Sequence, residues 1–406
     1  MNIIFISIGG LDDLGENSVY PDLLRMFRDN GHTVYVVCQR ERRYGKKTEA
    51  LNEHGINVIR VKTGNITKTN TIEKGISTLL IGVNFKNAIK RYTKDVKFDL
   101  VLYSTPPITV ASTVAFLKKR DNSFSYLMLK DIFPQNAIDL GMLISKGIKK
   151  YILRYFLKKE RLLYQISDYI GCMSNANVEF LLKNNSYIDR KKVGLCPNTI
   201  NLIEDSNIDK RALREKYRLP TEAIIFVYGG NFGRPQNVEY IIEALNRNKN
   251  KENCHFVMCG SGTDFYKIEE FINKNNECKN ITVINSLSKK SYGELLNACD
   301  VGLIFLDYRF TIPNFPSRLL DYLNHKLPVF ACTDVNTDLG KIILDGKFGW
   351  WCESSNVENF QNTFNKILLN QNEINEKGLL ARKYLEDNYK TDIAYNNIMQ
   401  IYNKFK

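Results

Sequence analysis

AIIFVYGGNFGRPQNVEYIIEAL, residues 223–245, decides the fold class. An apolar run of strand length ends in Gly229 and Gly230, a short loop holds Gly233 and Arg234, and apolar residues then recur at helical spacing. This is one strand–loop–helix unit of an α/β protein, and CHFVMCG, NITVINS, DVGLIFL and LPVFAC continue the rhythm behind it. The chain opens in the same way: NIIFISIG, VYPDLLRMFRDNG and HTVYVVCQ alternate strand, helix and strand. Gly31 supplies the left-handed helix end between the last two, and FDLVLYS, FSYLMLKD and DYIGCMS read as later strands. Two parallel sheets in sequence are expected.

Between them, GLCPNTINLIEDSN (194–207) carries Pro197 and a polar cluster, the composition of an interdomain linker. The terminal segment TDIAYNNIMQIYNKFK places Ile393, Ile398, Ile401 and Tyr402 at helical spacing, so a last helix must bury them against something. The expected organisation is a first domain over 1–200, a second over 201–387, and a helix within 388–406 packed back on the first.

With 406 residues, 44% hydrophobic and 25% charged, the chain has a globular composition and room for two cores. Its richest apolar run, ISTLLIGVNF (76–85), stops well short of a bilayer span. MNIIFISIGG has no basic leader and reads as a buried first strand, so a cytoplasmic protein is expected. Nine cysteines without a Cys-x-x-Cys pair read as small buried hydrophobes. The four histidines (32, 54, 255, 325) lack ligand spacing and no Asp-x-Asp pair occurs, so neither metal nor cofactor is implied. The net charge of +13 is uneven: residues 1–200 hold 31 Lys and Arg against 18 Asp and Glu, and the remainder is balanced. One domain is therefore expected to face a polyanion, nucleic acid or an anionic leaflet, unless its lysines are simply solvated.

Open α/β sheets bind ligands at the carboxyl ends of their strands. Gly230 and Gly233 let backbone approach a ligand there and Arg234 adds a cation, although any tight strand-to-helix loop would read alike. A second segment, IPNFPSRLLDYLNHKLPVFA (312–331), sets Pro316 and Ser317 at a helix start directly before Arg318, Leu319, Leu320 and Asp321. Ser317 is expected to cap that helix. Free amides at such a terminus attract phosphate, Arg318 adds a full charge, and Asp321 can accept two hydrogen bonds from a ribose diol. A capped surface helix is the plainer alternative.

Taken in order, NGHTVYVV (30–37), PNTI (197–200), GGNFGRPQNVEYIIEAL (229–245), CGSGTD (259–264), LLNACDVGLIFL (295–306), FPSRLLDYLNHKLPVFA (315–331) and GKFGWWCESS (346–355) form a pattern. It resembles the retaining GT-B glycosyltransferases, the large family 4-like group that includes bacterial capsule, O-antigen and phosphatidylinositol mannosyltransferases. The resemblance implies an α/β fold of two Rossmann-like domains facing each other across a cleft. It also implies a nucleotide-sugar donor, such as a UDP-sugar, and transfer with retention.

YSTPPITVAS (103–112) and LKDIFPQNAIDLGML (129–143) look like the fucosamine and N-acetylhexosamine transferase-type subset, which acts on undecaprenyl-diphosphate sugars. The resemblance carries over Asp131, Arg234 and Arg318 as catalytic residues. It carries over Gly15, Gly230, Asn231, Gly233, Ser317, Leu319 and Asp321 as donor-binding ones. Read on its own, Asp131 also fits a strand-end aspartate capping a turn. The chain departs from the pattern at three places: Pro313 and Asp321 stand for the usual pair of glutamates, Asn231 and Gln236 for an arginine and a lysine, and Lys326 for a common glycine.

Residues 142–164, MLISKGIKKYILRYFLKKERLLY, join apolar positions to seven Lys and Arg, the make-up of a helix lying in an anionic interface. RERRYGKK (40–47) adds further cations. The alternative is a stripe packed on the sheet with its lysines in water. Expected partners are thus a nucleotide-sugar donor, an undecaprenyl-diphosphate-linked saccharide acceptor and the inner face of the plasma membrane, without nucleic acid. Three competing readings remain at this point. A nucleotide-sugar 2-epimerase of the same fold would need acid–base groups in the cleft. A basic nucleic-acid-binding protein lacks a helix-turn-helix, zinc module or RNP-like strand to support it. The third is a non-catalytic nucleotide-sugar binder.

Overall fold

The computed structural model describes every residue except Gly10, Lys68, 142–148, 205–208 and 276–277. Two compact units are present, Met1–Asn201 with Lys390–Lys406, and Leu202–Tyr389.

The strands of the first unit are β1 (Asn2–Ser7), β2 (Thr33–Glu41), β3 (Glu49–Glu53), β4 (Ile56–Thr63), β5 (Leu100–Ser104), β6 (Phe124–Leu129), β7 (Tyr169–Cys172) and β8 (Val193–Leu195). They form one sheet in the order β3-β4-β2-β1-β5-β6-β7-β8. Only β3 against β4 is antiparallel. Strand order reverses between β1 and β5. Right-handed crossovers therefore put helix Val19–Asp29 on one face and helices Thr71–Tyr92, Ala111–Asp121 and Lys149–Ile166 on the other. Cover on both faces is why β5 and β6 are buried at every position and read as unbroken apolar runs.

The amphipathic tail forms helix Thr391–Phe405, which returns to this unit. It packs on helix Val19–Asp29, with the Tyr395 ring 5.0 Å from Phe27 and its hydroxyl 3.2 Å from His32 Nε2. Ala394 and Ile398 join the apolar cluster around β1.

The second unit has β9 (Ile224–Asn231), β10 (Cys254–Ser261), β11 (Ile281–Asn285), β12 (Val301–Phe305), β13 (Val329–Thr333) and β14 (Gly349–Glu353), all parallel, in the order β11-β10-β9-β12-β13-β14. Phe226, Phe256, Phe360 and Phe364 stack in its core. All nine cysteines are free thiols and only Cys278 is not buried, as expected of small hydrophobes. Lys326, which stands for a common glycine, has φ +55 just after helix Arg318–Asn324. The turn there needs the left-handed conformation that glycine adopts without strain, and a lysine adopts it at some cost.

Candidate functional site

In the second unit the strand order reverses between β9 and β12, and a pocket of about 490 Å³ opens at the carboxyl ends of β9 and β10. Gly229, Gly230 and Asn231 line it from β9, Gly260 and Ser261 from β10, and Tyr292, Ser317, Arg318 and Asp321 from the helices above. Glycine is required here by packing. A side chain on Gly229 would overlap the Tyr292 hydroxyl, and one on Gly260, at φ +153, would overlap the Gly230 carbonyl. We expect Gly260→Ala to cost about 3 kcal/mol. Calorimetry should then show the second unit melting roughly 10 °C lower.

Arg318 is held in place without being neutralised. Its guanidinium carbon lies 4.4 Å from the centre of the Tyr228 ring, and a Cβ on Gly230 would come within 3.3 Å of its Nη2. Nη1 is buried and has no hydrogen-bond partner among the described residues. An unmade bond on a buried charged donor costs about 1–3 kcal/mol or more, whereas an anion in the pocket would satisfy it. The Tyr292 hydroxyl, on the same pocket wall, is buried beside the Tyr322 hydroxyl, and burial pushes its pKa far up, so it stays neutral. Tyr322 fixes the frame: its hydroxyl accepts from the Gly229 amide at 3.1 Å and donates to the Leu303 carbonyl at 3.0 Å.

Asp321, expected to accept two hydrogen bonds from a ribose diol, is already engaged on one oxygen. Lys289 Nζ donates to its Oδ1 at 2.7 Å, leaving the other oxygen as the available acceptor for a diol. Lys289 lies 32 residues away, in the first turn of helix Lys289–Ala298, and no sequence spacing links the two. Ser288 caps that helix, its Oγ accepting from the Ser291 amide, so the lysine's position is set by an ordinary cap. With both partners partly exposed, the pair is worth about 1 kcal/mol. Lys289→Ala should therefore weaken binding of a ribose-bearing ligand in this pocket roughly fivefold, which titration calorimetry with a nucleoside diphosphate checks.

Three other expectations are corrected. Ser317 does not cap helix Arg318–Asn324: its backbone is helical (φ −63, ψ −24), whereas a capping serine needs the extended conformation to turn its oxygen onto the following amides. Leu319 is fully buried and its amide already donates to the Pro316 carbonyl at 3.2 Å, so only the amides of Ser317 and Arg318 lack a backbone acceptor among the described residues at this terminus. Arg234 is exposed and is not among the residues lining the pocket. Its loop is organised by Gln236, whose Oε1 accepts from Asn231 Nδ2 at 2.9 Å and from the Gly233 amide at 3.2 Å. Gly233 thus shapes the loop, and Gly230 and Asn231 meet the pocket.

In the first unit, Asp131 follows β6 at the carboxyl edge of the sheet. Thr105 Oγ1 accepts from the amides of Lys130 and Asp131 at 3.1 and 3.2 Å, and Asn136 Nδ2 donates to both Asp131 carboxylate oxygens at 2.8 and 2.9 Å. Burial pushes the Asp131 carboxyl up to about 6 against the pull of the Asn136 bonds. Gly15 lies in an exposed loop against the His54 ring, its amide donating to Asp13 Oδ1 at 2.7 Å. A pocket of about 560 Å³ beside β1 is lined by Gly9, Leu11 and Asp12 instead. Arg60 ties that loop down through the Leu11 and Asp12 carbonyls, each at 3.0 Å. The signal for Gly9 is its place directly after the first apolar strand, where a chain must turn sharply; spacing to Gly31 points to Gly15 instead.

Of the expected interfacial helix, 142–148 lies outside the described residues, and Lys149–Ile166 is helical. Tyr151, Ile152, Tyr155 and Leu157 are exposed on it beside Lys150, Arg154 and Lys158. The arginines of 40–47 are internally paired, Arg40 with Glu49, Arg42 with Glu73 and Arg43 with Glu41, which weakens their part in attracting anions. No helix among the described residues is long and apolar enough to cross a membrane.

Comparison with known proteins bears on both units. Residues 209–383, most of the second unit, match the family described as Glycosyl transferases group 1. The chain is 22% identical over 341 residues, 80% of its length, to 79% of the probable glycosyltransferase WbjE of Pseudomonas aeruginosa. Its fold matches sucrose-phosphate synthase of Thermosynechococcus elongatus with a TM-score of 0.76 at 15% identity, covering 100% of this chain and 98% of that one. It also matches Anabaena HepE in complex with UDP-glucose, with a TM-score of 0.71 at 12% identity and 100% of both chains covered. The two structural likenesses establish a GT-B fold.

Proposed function

We propose, from the premise that the chain is a glycosyltransferase with a group 1 domain in its second unit, that it transfers a sugar from a UDP-sugar to an undecaprenyl-diphosphate-linked saccharide. The observation that carries the donor half is Arg318 Nη1, a buried cationic donor without a partner among the described residues, in a glycine-walled pocket at the strand-order reversal. A nucleotide sugar brings a diphosphate, whose oxygens meet that need. HepE, of the same fold, has been captured with UDP-glucose, which supports a UDP-linked donor.

As the nucleoside diphosphate departs, negative charge grows on the phosphate. A guanidinium and amides already aimed there lower the barrier because nothing must reorient during the reaction. Charge neutralisation falls to Arg318, and in this reading no metal is needed because an arginine occupies that role. The acceptor approaches from the leaving-group face, the departing phosphate takes up its proton, and the anomeric configuration is retained. Asp131 orients the acceptor hydroxyl in the first unit. Sucrose-phosphate synthase and HepE share the fold, so the fold does not fix the acceptor. The lipid-linked acceptor, capsule or O-antigen synthesis, and attachment to the inner face of the plasma membrane rest on segments 103–112 and 129–143 and on the basic excess of the first 200 residues.

The test incubates the protein with UDP- and GDP-sugars and a polyprenyl-diphosphate-linked saccharide, follows nucleotide release, and reads the new linkage by NMR. Acceptor-dependent UDP release with a retained anomer supports the reading. Release of neither nucleotide, or an inverted product, removes it.

A further inference from the structure

Helix Thr71–Tyr92 buries Ile81, Phe85, Ala88 and Ile89 against the first unit's sheet, as an amphipathic helix should. Its opposite face should then be polar. Over the first three turns it is not: Ile72, Ile76, Leu79, Leu80 and Val83 recur at three- and four-residue steps and are 75%, 55%, 43%, 49% and 51% exposed. Such a contiguous apolar stripe in water marks an interaction surface.

Three observations say what covers it. First, place: this helix and Lys149–Ile166 both pack on the turn Ile108–Val110, which follows β5 at the carboxyl edge, and Thr109 Oγ1 donates to the Thr78 carbonyl at 2.9 Å. Both helices start after strands that end at that edge, and the exposed apolar residues of each lie mainly in its first half. Second, charge: Lys74, Lys150, Arg154 and Lys158 are exposed, and no carboxylate lies within ion-pairing distance of them among the described residues. Glu73, the one acidic residue of helix Thr71–Tyr92, is occupied by Arg42 at 2.9 Å and Thr69 at 2.6 Å. Third, symmetry: a second copy seated on the stripe through a two-fold axis would bring the same cations face to face, whereas anionic headgroups complement them. A groove of about 590 Å³ beside Ile72, Ile76 and Leu80 gives an acyl chain somewhere to lie.

We infer that the first half of helix Thr71–Tyr92 inserts its apolar stripe into an anionic lipid surface, with the cations of helix Lys149–Ile166 holding the headgroups beside it. This rests on the reading of the first unit as the membrane-side, acceptor-binding unit. It adds an inserted element that makes attachment hydrophobic as well as electrostatic.

The experiment is co-sedimentation of the full chain with vesicles of phosphatidylcholine alone and with phosphatidylglycerol, in low and high salt. Ile76→Asp with Leu80→Asp should weaken binding to the anionic vesicles at least about tenfold. The melting temperature and transfer to a water-soluble acceptor analogue should be unchanged. The indole introduced by Leu79→Trp should be quenched by brominated lipid, a reading that survives if the double variant misfolds. If only Lys150→Glu with Lys158→Glu abolishes binding, and the Leu79→Trp fluorescence is not quenched, the inserted helix is wrong while the membrane reading stands. If the wild type binds neither vesicle, both fail. A dimer that dissociates on Ile76→Asp with Leu80→Asp, vesicle binding intact, gives the stripe to a second copy and overturns the inference.

Discussion

Arg318→Ala is expected to lower kcat/KM for transfer by roughly a hundredfold or more, the size of effect seen when one preorganised donor to a developing oxyanion is lost. The fold should survive. The side chain touches the Tyr228 ring and leaves Nη1 without a partner among the described residues, so truncation loses a cation–π contact of about 1–2 kcal/mol and removes an unsatisfied buried donor with it. Those terms largely offset. If the guanidinium acts mainly on the departing phosphate, kcat should fall more than the donor KM rises. Arg318→Lys should recover little, because an ammonium lacks the planar fork and would not reach the same point from above the ring. Unchanged turnover in Arg318→Ala, with melting also unchanged, would discard the phosphate site.

The second large effect is on pH. The Asp131 carboxyl, with an ordinary value of 3.8, is pushed up to about 6 by burial. Above that pH it is charged and can accept a hydrogen bond from an acceptor hydroxyl; below it the carboxyl is protonated and that acceptor is lost. Transfer should therefore decline as pH falls through about 6, by tenfold per pH unit on the acid limb. Asp131→Asn should abolish this limb and lower the plateau on the order of a hundredfold. Asn136→Ala, which removes both hydrogen bonds to the charged form, should move the limb to higher pH. A profile in which Asp131→Asn keeps the acid limb assigns the titration to another group.

The alternation of strands and helices was legible because parallel sheets covered on both faces leave long apolar runs, and the glycine loop at 229–233 marked the end of one of them. The place of Arg318 at a helix start followed from its neighbourhood in the sequence. Its exposure to the pocket did not, since that depends on Tyr228, ninety residues earlier, lying beneath it. Lys289 was invisible for the same reason: its partner Asp321 is close only in the fold. Ser317 misled because a serine before a helix is a cap only if its backbone is extended, and local sequence does not settle that. The exposed stripe on helix Thr71–Tyr92 was hidden in a run apolar on both faces, where periodicity does not distinguish the face that meets the sheet.

All of this turns on the donor's diphosphate being held in the second unit by Arg318. The most direct test is a crystal structure of the protein with UDP. A phosphate oxygen about 2.8 Å from Arg318 Nη1, with the ribose toward Asp321, is the expected result. A diphosphate bound elsewhere, with Nη1 still lacking a partner, would contradict it.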